Sequence, residues 1–424
     1  MGADRAGAGQ RTPDRLVVRT VPAAADGDLL GLLPRDEAVA WVRRGAGLAG
    51  WGEAARITLP AGEDRFTAGE KWLRALFDTA DVDDRVGLAG CGLVAFGSFT
   101  FDPTSDGSVL VVPRTVIGRS GGRAWRTTIS DGTGPADAGT DGEPGCTAGP
   151  AGPAGIRWHD GSLSPPQWQR AVSAAVGRIS SGALSKVVLA RDLHATAGEP
   201  IDARVVLRRL AARYPDCYAF ACGGLTGATP ELLIRREGRR VSSVVLAGTA
   251  GRGGTPAQDA GLGAALLSSA KNAAEHAYSV DSVRDVLAPL CDSLSIEPRP
   301  SLLRLANVQH LATGVSGMLA REVSAVALAA ALHPTAAVCG TPADAAIELI
   351  RELEGMDRGR YAGPVGWADA RGNGEWGIAL RCGQLSGRQA RLFAGCGIVA
   401  GSDPEAELAE AQAKFRPMQD ALEG

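Results

Sequence analysis

Short apolar segments separated by turn residues dominate the chain, with a smaller number of helical patterns between them. From Leu16 to Leu59 such segments alternate with turns, and GLAGWGEAARITL ends in a predicted strand. Residues 65–78 repeat apolar positions at helical spacing, and residues 91–101 and 108–117 read as strands joined by the turn-rich DPTSDG. Beyond that the pattern lapses. Residues 121–155 are dominated by Gly, Pro, Asp, Ala and Thr without apolar periodicity, which predicts a flexible insertion or linker. Residues 1–14, polar and Gly/Ala-rich, are expected to be disordered.

Periodicity resumes near residue 164, so the chain divides into 15–163 and 164–424. In the second part the pattern predicts helices over 166–181, 201–214, 259–287, 323–332 and 343–353. Strands are predicted over 185–191, 217–222, 231–236 and 240–246, the last continuing into Ala247-Gly248-Thr249, with a turn over 223–230. Strands 376–382 and 389–393 flank a Gly/Ser turn. A final helix opens at Ser402-Asp403-Pro404, an N-cap candidate just before a proline. Strands come in adjacent groups and helices are not strictly interleaved with them. That predicts an α+β fold with mostly antiparallel sheets and not a doubly wound one.

At 424 residues the chain can bury a large core. A net charge of -3 gives no footprint for nucleic acid or a membrane surface. The eight cysteines form no CxxC pair and lie mostly in apolar runs, which disfavours a zinc or disulfide framework. No signal sequence or spanning apolar stretch is read, so a cytoplasmic location is expected.

Candidate chemistry concentrates near the C-terminus. Arg381 sits in an otherwise apolar predicted strand, and Gly395-Cys396-Gly397 follows the next one. Glu407, Glu410 and Lys414 are spaced by three and four, so they share one helix face. Together these could hold a small polyanion and a hard cation. The plainer reading, a solvated helix and an arginine facing water, is the commoner fate of such charges.

Nine segments in order change that balance: SKVVLAR, GATPELL, LAGTAGRG, SSAKNAAEH, VQHLATGVSG, ALHPTAAVCGTP, YAGPVGW, GNGEWGIALRC and LFAGCGIV. Together they resemble the chorismate-utilising enzymes: isochorismate and salicylate synthases and the synthase subunits of anthranilate and aminodeoxychorismate formation. The resemblance covers roughly residues 165–420. It implies one large fold of stacked, mostly antiparallel sheets surrounded by helices. It also implies chorismate as the small-molecule partner, no nucleic-acid or membrane partner, and a monomer. Lys186 matches the family's water-activating base and Glu231 its general acid. Glu275 and Glu410 match the Mg²⁺ carboxylates, with Glu407 one turn before Glu410 as a further ligand. Arg381 and Lys414, with Gly395 and Gly397, match binders of the substrate carboxylates. Gly248 and Thr249 would line the ring side, and His310 matches an active-site histidine. Lys271, four residues before Glu275, also allows an ordinary helix ion pair there.

Within the family, Ala247 stands where aminodeoxychorismate synthases carry a lysine nucleophile, which excludes that covalent route. Lys186 disfavours the ammonia-using anthranilate type. The leading expectation is isochorismate synthase, serving menaquinone or siderophore formation. Salicylate synthase, with pyruvate elimination, and a non-catalytic chorismate binder are the alternatives. Ala270 replaces an acidic residue common in relatives, which could alter metal affinity.

Overall fold

The computed structural model describes residues 12–13, 15–24, 27–35, 37–131 and 152–424. The expected disorder of 1–14 and most of the expected insertion, 132–151, lie outside them, apart from residues 12, 13 and 121–131 and 152–155. The described strands form two sheets, one of 13 strands and one of 10, with eight α-helices on their outer faces. Every pairing is antiparallel except Val17–Ala23 with Asp81–Asp84. This is the α+β arrangement predicted by the grouping of strands.

The sheets face each other over a core of large apolar side chains. Trp41, Phe96, Phe99, Phe220 and Trp376 are at most 1% exposed. Trp41 stacks on Tyr218 at 4.7 Å, and Phe66 stacks on Phe99 at 4.2 Å. Each such side chain removed from water contributes about 2–3 kcal/mol.

Four short connections carry the chain from one sheet to the other: Trp51 to Ala55, Val112 to Thr115, Thr229 to Leu232 and Ile378 to Cys382. These corners explain most departures from the sequence reading. The single strand expected over 108–117 is two, Ser108–Val112 and Thr115–Ser120, in different sheets. Pro113 has no N–H for a ladder and breaks the run. Residues expected as a turn over 223–230 contain the strand Leu225–Thr229, with Gly223 and Gly224 alone making the turn at positive φ. The strand expected over 376–382 ends at Ile378, and the next, Cys382–Ser386, belongs to the other sheet. Arg381 is therefore not a strand residue: it holds the corner with φ +48°.

Two further corrections concern spacing. Arg123–Ser130, expected in the flexible insertion, is a strand whose alternating burial matches its pairing with Val17–Ala23. The helix expected over 259–287 is two, Pro256–Ser268 and Ala270–Leu287. Ser269 between them is extended, and its hydroxyl accepts from the Asn272 N–H at 3.3 Å, capping the second helix. The C-terminal helix, Pro404–Glu423, starts as its cap predicts, with the Asp403 carboxylate accepting from the Ala406 N–H at 2.9 Å.

Candidate active site

Two of the four corners lie side by side. Ile378 donates to the Glu231 carbonyl at 3.2 Å, and Ala228 donates to the Arg381 carbonyl at 3.2 Å. The corner backbone turns away from both ladders, so the side chains of Glu231 and Arg381 enter a cavity at the junction of the two sheets. Gly248, Thr249, Glu275, His310, Gly395, Gly397 and Lys414 line the same cavity, with Ala337, Val338 and Tyr361. Nine sequence-predicted residues thus line one cavity, whereas Lys186, Glu407 and Glu410 do not line it.

Glu231 is 4% exposed and lies at the apolar junction beside Pro230 and Leu232. Burial pushes its carboxyl up to about 8, against a hydrogen bond from the Leu246 backbone and the charges of Lys186, Arg381 and Lys414. It is an acid that keeps its proton at neutral pH.

Lys186 begins the strand Lys186–Thr196 and is 0% exposed. Its Nζ lies one layer behind the cavity, 3.4 Å from Glu275 Oε1, and donates to Ser279 Oγ at 3.2 Å. Burial lowers its pKa, partly offset by the Glu275 carboxylate. Ser279 was invisible as a partner in the sequence, although it lies one helical turn after Glu275 on the same face. Its hydroxyl donates to the Glu275 carbonyl at 3.2 Å, which leaves its lone pairs for the lysine.

Glycine at 397 is required by space. A Cβ there would stand 2.1 Å from Glu275 Oε1 and 3.1 Å from Lys186 Cε, so the carboxylate lies directly against the strand backbone. At Gly395 a Cβ would lie 2.8 Å from the Leu189 carbonyl. Gly248 has φ +79°, at a bulge in the pairing of Arg240–Gly251 with Val308–Leu319.

The bulge brings Thr249 to His310. Arginine can only donate, so the 2.9 Å contact from Arg381 Nη2 requires His310 Nε2 to be an acceptor. The ring is then neutral, and its Nδ1–H donates to Thr249 Oγ1 at 3.1 Å. Burial holds the His310 pKa well below the ordinary value, helped by Arg381 and Lys414. Thr249 in turn bonds the Glu410 carboxylate. A chain of directed hydrogen bonds therefore links the corner arginine to the C-terminal helix.

Each of the three carboxylates expected to hold a metal is met by a lysine. Glu275 faces Lys186, Glu407 accepts from Lys271 at 2.7 Å, and Glu410 pairs with Lys414 at 2.6 Å. Lys271 does not pair with Glu275 as its helical spacing allowed. A lysine preceding a glutamate by four is the weaker orientation, whereas Glu410 before Lys414 is the favourable one, and that pair forms. Lys414 also donates to the Gly395 carbonyl at 2.8 Å; burial alone would lower its pKa, but the charge and hydrogen bond of Glu410 together with Cys396 raise it on balance. Burial would raise Glu410, but Lys414 and Lys271 outweigh it and hold its carboxyl below the ordinary range. Glu407 is raised by burial and by the neighbouring Glu410 charge.

Ligand atoms of Glu407, Glu410 and Cys396 lie within 4.8 Å of one another. The Cys396 thiol donates to the Glu407 carbonyl at 3.3 Å, and burial raises its pKa well above the ordinary value. It stays a thiol, so the donors are carboxylate oxygens, which suit a hard divalent cation. Glu275, packed against the Gly397 backbone and Lys186, is not among these three. No helix among the described residues is long and apolar enough to cross a membrane.

Comparison with known proteins places the chain in a family. The family model of chorismate binding enzymes matches residues 153–423. Isochorismate synthase DhbC of Bacillus subtilis is 44% identical over 270 residues, covering 61% of this chain and 68% of its own length. The salicylate biosynthesis isochorismate synthase of Pseudomonas aeruginosa is 42% identical over 278 residues, covering 64% and 58%. Among solved structures, the menaquinone-specific isochorismate synthase MenF of Escherichia coli superposes with a TM-score of 0.79 at 26% identity, covering 99% of this chain and 97% of that one.

Proposed function

The chain belongs to the chorismate-binding enzymes, and on that footing we propose that it is an Mg²⁺-dependent isochorismate synthase. The observation that carries this reading is the opposed tuning of two buried groups, one lining the cavity and the other one layer behind it. Glu231 keeps its proton while burial favours the neutral amine of Lys186. The acid is thus in the form that neutral-pH chemistry requires, and burial moves Lys186 towards the form a base requires.

The reaction adds water at C2 of chorismate and expels the C4 hydroxyl, with the ring double bonds shifting between. Lys186 takes a proton from the attacking water, past the Glu275 carboxylate it adjoins. Glu231 gives its proton to the departing C4 oxygen, so one water enters and one leaves. Arg381 and Lys414 bind the substrate carboxylates, with Arg381 held in place by neutral His310. Glu275 and Glu410 would hold Mg²⁺, with Glu407 alongside. When bound, the ion supplies positive charge against the ring carboxylate as electron density moves through the ring. Ala247 leaves no amine on the ring side for a covalent adduct. A menaquinone or siderophore route would use the product, and the names of the relatives support both.

The test is an incubation with chorismate, with and without Mg²⁺, resolving products by chromatography and assaying pyruvate. An Mg²⁺-dependent isomer of unchanged mass without pyruvate is expected. Salicylate with stoichiometric pyruvate would replace this reading by salicylate synthase, and no product would leave a binder.

A further inference from the structure

The three lysine–carboxylate pairs are not equivalent. The side chains of Lys186 and Lys414 are 0% and 12% exposed, enclosed by strands and held by second acceptors, Ser279 Oγ and the Gly395 carbonyl. The Lys271 side chain is 37% exposed, and it donates to Glu407 Oε1, whose own side chain is 3% exposed. Lys271 also stands in the first turn of Ala270–Leu287, just after the extended Ser269. Its four-carbon stem has a route to water that the other two lack. Its ammonium rests on a carboxylate whose oxygen lies within 4.8 Å of a Glu410 oxygen, where a divalent cation would compete for the same charge.

We propose that Lys271 is a tethered cation that holds Glu407 in the metal-free protein and gives it up when Mg²⁺ enters, thereby setting the metal affinity. This rests on the Mg²⁺ reading above. At Glu407 and Glu410 the two carboxylates are already neutralised by the Lys271 and Lys414 ammonium groups before any ion arrives. A divalent ion added to that cage meets no net attraction unless one ammonium withdraws, and only Lys271 can do so without leaving a buried charge. The pair costs the empty site nothing, because it prevents Glu407 and Glu410 from repelling each other. It costs the ion one ion pair on entry.

Isothermal titration with MgCl₂ alone, without chorismate, tests this in wild type, Lys271→Gln, Lys271→Met and Lys271→Arg. The neutral variants are expected to bind Mg²⁺ about tenfold more tightly, the scale of one partly buried ion pair. Lys271→Arg keeps the charge and should show no gain. In a Glu407→Gln background, Lys271→Gln should add nothing. The Mg²⁺-induced rise in Tm should grow in the neutral variants, which also shows that they fold. Unchanged or weaker Mg²⁺ binding in Lys271→Gln and Lys271→Met, beside a wild type that binds, overturns the role of Lys271 and leaves the metal reading intact. No Mg²⁺ binding by any of the proteins overturns the metal reading and this proposal with it.

Discussion

Replacing Glu231 with glutamine separates two claims about one residue. The amide keeps the shape and can still donate a hydrogen bond, but it has no proton to transfer. General acid catalysis contributes about 10²–10⁴-fold, so kcat should fall by that factor with little change in KM. Wild-type kcat/KM should decline as pH rises past about 8, where Glu231 loses its proton. The same carboxyl also governs stability. Its folded pKa is about 8, whereas in the unfolded chain a glutamate titrates near 4.5. Between those values the folded state binds more protons than the unfolded one, so stability falls as pH rises and the loss is complete above about 8. Three and a half units correspond to roughly 5 kcal/mol at most, and relaxation around the charged form reduces that. Glu231→Gln removes this ionisation, so its stability relative to wild type should rise by a few kcal/mol between pH 5 and 9. Urea denaturation of both proteins at several pH values measures the difference. A difference flat in pH would refute the raised pKa, and full turnover by the variant would refute the acid role.

Lys186→Met should abolish turnover while Mg²⁺ binding, read by calorimetry, persists; an active variant would remove Lys186 as the base. Gly397→Ala places a Cβ 2.1 Å from Glu275 Oε1 and must displace that carboxylate. Turnover should drop by about 10²-fold and Mg²⁺ binding should weaken in parallel, and a variant with wild-type Mg²⁺ affinity would take Glu275 out of the ligand set. His310→Phe leaves Arg381 Nη2 and Thr249 Oγ1 without their shared partner. KM for chorismate should rise by about tenfold, the scale of one orphaned buried donor, and a fall in kcat at constant KM would instead place His310 in the chemistry.

The sequence was most legible where a local signal coincided with a local structure. Asp403-Pro404 announces its helix. The strand motifs put Glu231, Arg381 and Lys186 into one site because their order along the chain was enough to align them with a family. What stayed hidden was tertiary. Nothing about an arginine among apolar neighbours reveals a left-handed corner, since glycine is the residue that usually marks one. Which sheet Thr115–Ser120 joins depends on its partners across the molecule. Lys271 had a partner four residues away in sequence and took another from a different helix, because the Glu407 carboxylate is the more buried and gains more from a counter-charge.

The family match begins at residue 153, yet the hydrogen-bond ladders do not respect that boundary. Val39–Arg43 pairs with Tyr218–Cys222, and Val94–Ser98 pairs with Pro364–Asp369, so residues before 131 extend both sheets without a seam. The matched region lifted out alone would expose two long raw strand edges. The earlier residues supply no group to the cavity, but they hold the two sheets at the angle that brings the Glu231 and Arg381 corners together. Inheritance in such a molecule is not modular. A chimera that joins the front of one relative to the back of another recombines two halves of a mould, and its site would be only as accurate as the fit between them.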